Sequence, residues 1–176
     1  MQKTKTLYLV RHAKSSWRSP QLNDRERPLN ERGKRNMPVM ANRLADHVSQ
    51  PDDQFPAPQR ILTSPAIRAH TTAVGIATAL NHPMDHFHLD ERLYFQGVKT
   101  LLNLIRSQNS SCDALMLVGH NPDLTDLHNT LCSVDIDTLP TCAIITLLFK
   151  LDNWQDLQPD SANLVDFDFP KKELRS

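Results

Sequence analysis

Short apolar runs alternate along the chain with longer segments in which apolar residues recur every three or four positions. The runs have the length and composition of buried strands, and they cover residues 6–11, 60–63, 114–118 and 143–149. The periodic segments predict helices, and their apolar positions are Met37, Met40, Leu44 and Val48; Ala69, Ala73, Ile76 and Leu80; Leu101, Leu102 and Ile105; and Leu124, Leu127 and Leu131. This alternation predicts an α/β fold of three layers, a mainly parallel sheet flanked by helices.

Proline marks several predicted boundaries. Two helices are expected to begin where an N-cap residue precedes a proline at the first helical position, at Ser64-Pro65 and at Asn121-Pro122. Pro38 leaves two alternatives open, a helix that begins near it after a short turn or one helix kinked there. The alternating segment 164–169 could form an edge strand.

The size and charge of the chain narrow its class. Its 176 residues suit one core, so we expect a single domain over residues 1–176. Twenty basic and twenty acidic residues cancel, which gives no net field for nucleic acid or an anionic membrane. The longest apolar run has seven residues, far short of the ~20 that span a bilayer. With a polar N-terminus and three cysteines that lack metal or redox spacing, the sequence predicts a cytoplasmic protein.

Candidate chemistry lies where the predicted strands end. Arg11 and His12 close the first strand, and His120 follows the strand that precedes the last helix. Arg68 lies in the first turn of the helix after the second strand. The carboxyl ends of parallel strands share one edge of a sheet, so these side chains are expected to meet beside helix N-termini that favour anions. Two histidines and two arginines in that place predict a phosphate pocket.

Six motifs carry a resemblance to a known family. Three of them, in this order, resemble the histidine phosphatase superfamily, which has the phosphoglycerate mutase-like fold: Arg11-His12-Ala13, Ser64-Pro65-x-x-Arg68-Ala69-x-x-Thr72-Ala73 and Gly119-His120-Asn121-Pro122. Three more are similar to the small SixA-type phosphohistidine phosphatases: Lys14-Ser15-Ser16-Trp17, Arg27-Pro28-Leu29-x-x-x-Gly33 and Asp90-Glu91-Arg92-Leu93-Tyr94. The main departure is Ala13, which stands where the superfamily most often has glycine.

The resemblance implies a role for each motif residue. His12 would attack phosphorus and carry a covalent phosphohistidine, while Arg11, Arg68 and His120 would hold the non-bridging oxygens. Glu91 matches the proton donor of larger members, and we expect it to matter for phosphate esters and little for phosphohistidine. Four further residues are expected to contact the substrate: Lys14, Ser16, Arg27 and Asn121.

The pocket is expected to work without a metal or other cofactor, because its cationic side chains can stabilise a phosphoryl group themselves. The segment that holds His82, His86 and His88 reads as a loop leading into a strand and not as a metal site. Little chain separates Glu91 from His120, so the capping insertion of the larger mutases is missing and an open cleft is expected.

The resemblance implies a phosphatase whose partner is a phosphorylated protein, with phosphohistidine as the substrate. A small phosphorylated substrate, either an ester or an anhydride, remains an alternative. So does a non-catalytic phosphate-binding or interaction module on the same fold.

Overall fold

The computed structural model describes residues 2–51 and 54–172 and contains one mixed sheet flanked by helices. The strands are β1 (Thr4–Arg11), β2 (Arg60–Thr63), β3 (Phe87–Leu89), β4 (Ala114–Gly119), β5 (Ile144–Lys150) and β6 (Ala162–Asp168). The helices are α1 (Glu31–Ser49), α2 (Ile67–Ala79), α3 (Val98–Arg106) and α4 (Asp123–Leu131). Every strand and helix predicted from the apolar pattern is present, and the three-residue β3 follows the histidine-containing loop.

The strand order in the sheet is β3-β2-β4-β1-β5-β6. Neighbouring strands from β3 to β1 run parallel, whereas β5 is antiparallel to β1 and β6 is antiparallel to β5. The prediction of an α/β fold with a mainly parallel sheet is therefore confirmed. The connection from β1 to β2 passes over the position of β4, so the carboxyl ends of β1, β2 and β4 lie next to one another.

Strand β1 shows how the three layers are held together. Leu7 and Leu9 pack into the cluster that contains the apolar faces of α3 and α4. Tyr8 and Val10 point to the other side of the sheet, into the cluster formed with α1 and α2. All four side chains are fully buried, and burial of each contributes roughly 1.5–3 kcal/mol. The buried strand thus fixes the position of its last residues, where Arg11 and His12 lie.

The proline-based boundaries were only partly right. Helix α1 is one helix that runs through Pro38. Helix α2 begins at Ile67 with Ala66 as its N-cap, and α4 begins at Asp123 with Pro122 as its N-cap, so both predicted starts were wrong. The Ser64 hydroxyl accepts a hydrogen bond from the amide of Ala66, the residue that directly precedes the helix. Ser64 is therefore part of a turn at the strand end and not of the helix.

The termini of the strands are the part of the fold that matters for function. His12 follows β1, Ser64 follows β2, His120 follows β4, and the segment that begins at Asp90 follows β3. Among the residues that the structure describes, no helix is long and apolar enough to cross a membrane.

Candidate active site

His12 is buried at the end of β1 with only 8% of its surface exposed. Its Nδ1 lies 2.7 Å from the carbonyl oxygen of Ala13. A carbonyl can only accept, so Nδ1 carries the proton and the lone pair of the neutral ring is on Nε2. Burial, together with the charges of Arg68, Arg11 and Arg27, lowers the pKa of His12 to about 4 against the opposing effect of the bond to Ala13. At neutral pH the ring is uncharged and Nε2 can act as a nucleophile.

The loop after His12 is tied to helix α2 through Thr72. The Thr72 hydroxyl accepts a hydrogen bond of 2.9 Å from the Ala13 amide and donates one of 2.7 Å to the Arg68 carbonyl. Ala13 is fully buried and does not adopt a left-handed φ, so the alanine fits where the superfamily often has glycine. The contact connects the backbone of the nucleophile loop directly to the residue that presents the Arg68 guanidinium.

His120 and Arg68 lie beside His12. The ring centroids of His12 and His120 are 5.1 Å apart, and the Nη2 of Arg68 is 3.4 Å from the Nδ1 of His120. The other ring nitrogen of His120, Nε2, shares a hydrogen bond of 2.7 Å with the Ser64 hydroxyl. Burial lowers the pKa of His120 to about 3, and the charge of His12 acts in the same direction. The structure thus brings together three of the four residues predicted to bind phosphate.

Arg11, the fourth of these predicted residues, is anchored to the main chain at Leu139. Its Nη1 donates to the carbonyl of Leu139 at 2.8 Å, and the Nδ2 of Asn121 donates to the same oxygen at 2.9 Å. The Nε of Arg11 is buried and has no hydrogen-bond partner among the described residues. An unpaired buried guanidinium N–H is costly unless an anion satisfies it. Arg11 therefore has a donor left for a ligand, whereas the Asn121 amide is used to hold the 138–139 loop.

Asp24, which the sequence analysis did not single out, connects the arginines of the site. Its carboxylate accepts hydrogen bonds from Arg68 at 2.8 Å, from Arg27 at 2.9 Å and from the Tyr94 hydroxyl at 2.5 Å. Arg68 also donates to the main-chain carbonyl of Asp24. Partial burial opposes the ionisation of Asp24, but the bonds from Tyr94 and Arg68 and the charges of the arginines bring its pKa down to about 2. Asp24 remains an anion that orients two guanidinium groups.

Arg27 was expected to contact the substrate, and its guanidinium is largely used by the protein. Its Nε donates to the Ser16 carbonyl at 3.1 Å, and its Nη2 donates to the Ser15 hydroxyl. The Trp17 ring covers the guanidinium, with 3.2 Å between its centroid and the Arg27 Cζ. Arg27 is 7% exposed and Trp17 is 75% exposed. The contact thus fixes Arg27 against the nucleophile loop by cation–π attraction.

Glu91 is not next to His12 in the hydrogen-bond network. Its exposed carboxylate accepts two hydrogen bonds from Arg25, at 2.9 and 2.7 Å. The hydrogen bond from Arg25 and the charge of that arginine lower the pKa of Glu91. In this structure Glu91 is therefore a paired carboxylate and holds no proton to donate at neutral pH.

Two aromatic side chains cover His120 after the short 3-10 turn Glu91–Leu93. The Phe95 ring stacks on His120 with 4.5 Å between centroids, and the Tyr94 ring meets His120 edge-on at 5.4 Å. Phe95 has a φ of 53°, a left-handed conformation that is unfavourable for a bulky residue. Such strain is of order 1–3 kcal/mol and is usually found at functional sites.

Lys14 and Ser16 lie in the loop that follows His12 and were expected to contact the substrate. Together with Trp17 and Arg18 they line an open cavity of about 450 Å³, whose lining includes neither His12, Arg68 nor His120. In the described ranges no group of three or more His, Cys, Asp or Glu side chains is arranged to hold a metal ion. The Nε2 of His82 pairs with the main-chain oxygen of His86 at 3.2 Å.

Residues 7–94 match the family model of the histidine phosphatase superfamily, branch 1. The chain belongs to the histidine phosphatase superfamily. An uncharacterised protein of Mycobacterium tuberculosis is 28% identical over 92% of this chain and its own full length. An uncharacterised protein of Picosynechococcus is 34% identical over 67% of each chain. Relatives of this histidine phosphatase thus include bacterial proteins of similar length.

A solved structure of similar length places the protein in the SixA-type branch. The crystal structure of a candidate phosphohistidine phosphatase, SixA, from Agrobacterium tumefaciens is 27% identical, with a TM-score of 0.74. The alignment covers 94% of this chain and 98% of that one. The fold is phosphoglycerate mutase-like, as the sequence resemblance predicted. The protein is a phosphatase of the histidine phosphatase superfamily, SixA-type, and acts on phosphorylated substrates.

Several residues of this histidine phosphatase that the sequence did not identify as functional contact the predicted site residues. Asp24, Arg25 and Ser64 belong to this group, and so do the aromatic residues Tyr94 and Phe95. A weak signal was present for Asp24, because Asp24 and Arg27 are three positions apart in one charged segment. In the segment 23–27 only Arg27 was expected to contact the substrate, and nothing in the composition of the segment pointed to a contact with Arg68.

Proposed function

We propose that this protein is a metal-independent phosphatase that forms a covalent phosphohistidine on His12 and acts on phosphohistidine in a partner protein. The observation that carries the proposal is the neutral His12, whose Nε2 lone pair is free beside Arg68 and His120. A nucleophilic nitrogen and fixed positive charge are the two requirements of phosphoryl transfer. The unpaired Nε of Arg11 adds a donor for an anionic ligand.

In the first step the Nε2 lone pair of His12 forms a bond to phosphorus. The bond between phosphorus and the leaving atom of the substrate breaks, and its electron pair stays with that atom. In the second step a water oxygen attacks the phosphorus of phospho-His12. The P–Nε2 bond breaks, its electron pair returns to Nε2, and the water loses a proton as phosphate forms. Neither step needs an oxidant, a reductant or a metal-bound nucleophile.

Arg68 sets the proton position on His120. The guanidinium can only donate, so its contact of 3.4 Å makes Nδ1 of His120 the acceptor, and the proton of the neutral ring is on Nε2, which donates to the Ser64 hydroxyl. A phosphoryl oxygen that binds beside His12 would replace Nδ1 as the acceptor of this guanidinium N–H. Preorganised donors of this kind contribute roughly 2.7–4 kcal/mol each to transition-state stabilisation.

Phosphohistidine is the substrate class favoured by the state of Glu91. The carboxylate is paired with Arg25 and has a lowered pKa, so it is poorly suited to protonate a leaving alkoxide. An imidazole can leave as a neutral molecule when its other nitrogen is protonated by solvent, which removes the need for a general acid. The name of the Agrobacterium relative, a candidate phosphohistidine phosphatase, supports the same class.

A substrate panel tests the proposal. The purified protein is assayed with a protein that carries phosphohistidine, with phosphoimidazole, with alkyl phosphates and with an acyl phosphate. We expect the phosphohistidine protein to give the highest kcat/KM and His12→Asn to abolish all turnover. Preference for a small ester or anhydride would replace the proposed substrate. Binding without turnover on the whole panel would indicate a non-catalytic module.

A further inference from the structure

Arg25 and Glu91 join two separate segments beside the candidate active site. Arg25 lies in the 3-10 turn Asp24–Glu26, and Glu91 opens the 3-10 turn Glu91–Leu93, which follows β3. Both guanidinium Nη atoms meet both carboxylate oxygens, at 2.9 and 2.7 Å. Bidentate pairs of this geometry are more specific than single contacts, although both side chains are exposed.

Further contacts hold Arg25 in the position that pairs with Glu91. Its Cζ lies 4.3 Å from the centroid of the Tyr94 ring, and the Tyr94 hydroxyl donates to the neighbouring Asp24. A capping box formed by Asn23 and Glu26 closes the turn that contains Arg25. The Arg25–Glu91 pair is thus part of a small network that also includes Asp24, whose carboxylate is paired with Arg68 and Arg27.

The Glu91 turn leads directly into the aromatic residues that cover His120. Tyr94, which ends the turn, contacts both His120 and Asp24. A carboxyl group in this turn could protonate a leaving group if it held a proton. A carboxylate that accepts two guanidinium N–H bonds is stabilised in its charged form, and the pKa of Glu91 is lowered accordingly.

We propose that Arg25 is a specificity-determining residue: by engaging both oxygens of the Glu91 carboxyl group, it keeps that group from acting as a general acid and restricts turnover to substrates whose leaving groups depart without one. The inference rests on the proposed function and names the substrate class of the same site. Phosphoimidazoles, acyl phosphates and nitrophenyl phosphates belong to this class. Alkyl phosphates do not, because the electron pair of the breaking P–O bond would stay on a strongly basic alkoxide that must take up a proton.

Four variants separate this role from a structural one. Arg25→Ala releases Glu91, Arg25→Lys retains a positive charge beside it, and Glu91→Gln is made alone and together with Arg25→Ala. The control is Arg92→Ala, which breaks another exposed bidentate pair in the same turn, between Arg92 and Asp90 at 2.9 and 2.7 Å. Each variant is assayed with phosphoimidazole, nitrophenyl phosphate and glycerol phosphate from neutral pH down to about pH 5, where an unpaired glutamate is partly protonated.

Arg25→Ala should raise kcat on glycerol phosphate by roughly tenfold or more, since a positioned general acid contributes about 10²–10⁴-fold when fully effective. Turnover of phosphoimidazole should change less than about threefold on the same scale. The gain should vanish in the double variant, should be mostly absent in Arg25→Lys, and should decline as the pH rises and Glu91 loses its proton. Arg92→Ala should leave the preference between substrates unchanged.

The inference is overturned if Arg25→Ala alters all three substrates by the same factor, if Glu91→Gln does not remove the gain, or if Arg92→Ala reproduces it. Circular dichroism checks the fold of each variant, and Arg25→Gln replaces Arg25→Ala if the latter does not fold. Wild-type turnover of phosphoimidazole with no gain in any Arg25 variant defeats this inference alone. No turnover and no labelling of His12 in the wild type defeats the proposed function and the inference together.

Discussion

The chemistry at His12 depends on which of its ring nitrogens carries the proton. The Ala13 carbonyl holds that proton on Nδ1, and burial keeps the ring neutral, so the attacking Nε2 is prepared before a substrate binds. In the proposed mechanism the arginines around it bind phosphate, and their charges also disfavour a charged imidazole. The sequence suggested the first effect from the Arg11-His12 pair, but it gave no indication of how deeply the ring is buried.

The pH dependence of kcat/KM should reflect this lowered pKa. Only neutral His12 attacks, so activity is lost as the pH falls through its pKa, and we expect the acid limb near about 4. Asp24, with a pKa of about 2, stays ionised across that limb. Rates measured between neutral pH and pH 4, with the fold monitored by circular dichroism, check this. A limb near the ordinary histidine pKa would contradict the account.

Asp24→Asn tests whether the arginines depend on Asp24 for their orientation. The asparagine keeps the size of the side chain, but its amide replaces a carboxylate oxygen that accepts from a guanidinium. We expect kcat to fall by roughly ten- to a hundredfold, because small displacements of positioning groups have effects of that size. The exposed Asp85→Asn is the control. An unchanged or higher kcat for Asp24→Asn would mean that Asp24 competes with the substrate for the arginines.

At the scale of elements, helix α1 approaches the nucleophile loop more closely than a side chain would allow. A Cβ added to Gly33 would overlap the carbonyl oxygen of Lys14, which accepts a hydrogen bond from the Asn30 amide at the start of the helix. The glycine therefore lets the helix N-terminus and the loop after His12 share a tight backbone contact. A Cβ added to Gly75 would also overlap a neighbour, but that neighbour is the flexible side chain of Met37.

Gly33→Ala should lower the free energy of unfolding by about 1–3 kcal/mol, the usual effect of overpacking. Activity should also fall, because the displaced backbone leads into His12. Gly75→Ala should cost less, since Met37 can move aside. Urea denaturation and initial rates of both variants check this. Equal losses of unfolding free energy and activity in the two variants would contradict a particular role for the close contact between Gly33 and Lys14.

The elements that could be predicted are those with a strong apolar pattern. Strands β1, β2 and β4 were found within two residues of their observed ends because each is buried on both faces. The starts of α2 and α4 were misplaced because Ser64 and Asn121 lie in turns ahead of the helices, where their side chains also make tertiary contacts. Local sequence rules describe a helix end by itself and do not account for a side chain recruited by the site.

At the scale of the whole molecule, the strand order decides which residues meet. Insertion of β4 between β2 and β1 brings the residues after three strands to one edge of the sheet. The meeting of His12, Arg68 and His120 could be predicted because it needs only the parallel arrangement. The Asp24 network and the Arg25–Glu91 pair could not, because they depend on how two irregular segments pack against each other.

The whole enzyme should work without a metal ion. In the proposed mechanism positive charge for the phosphoryl group comes from Arg11, Arg68 and the donors around them, so treatment with a chelator is expected to leave kcat unchanged. Activity is measured before and after dialysis against EDTA, with re-addition of zinc or magnesium. A large loss that either metal restores would contradict the proposed mechanism.

The central claim is that phosphate passes through His12, and trapping the phosphoenzyme tests it most directly. The protein is mixed with a ³²P-labelled phosphodonor, quenched at alkaline pH and digested, and the labelled peptide is identified. The account predicts base-stable, acid-labile label on His12, lost in His12→Ala and retained in the exposed His70→Ala. Turnover without label on His12, or label that persists in His12→Ala, would contradict it.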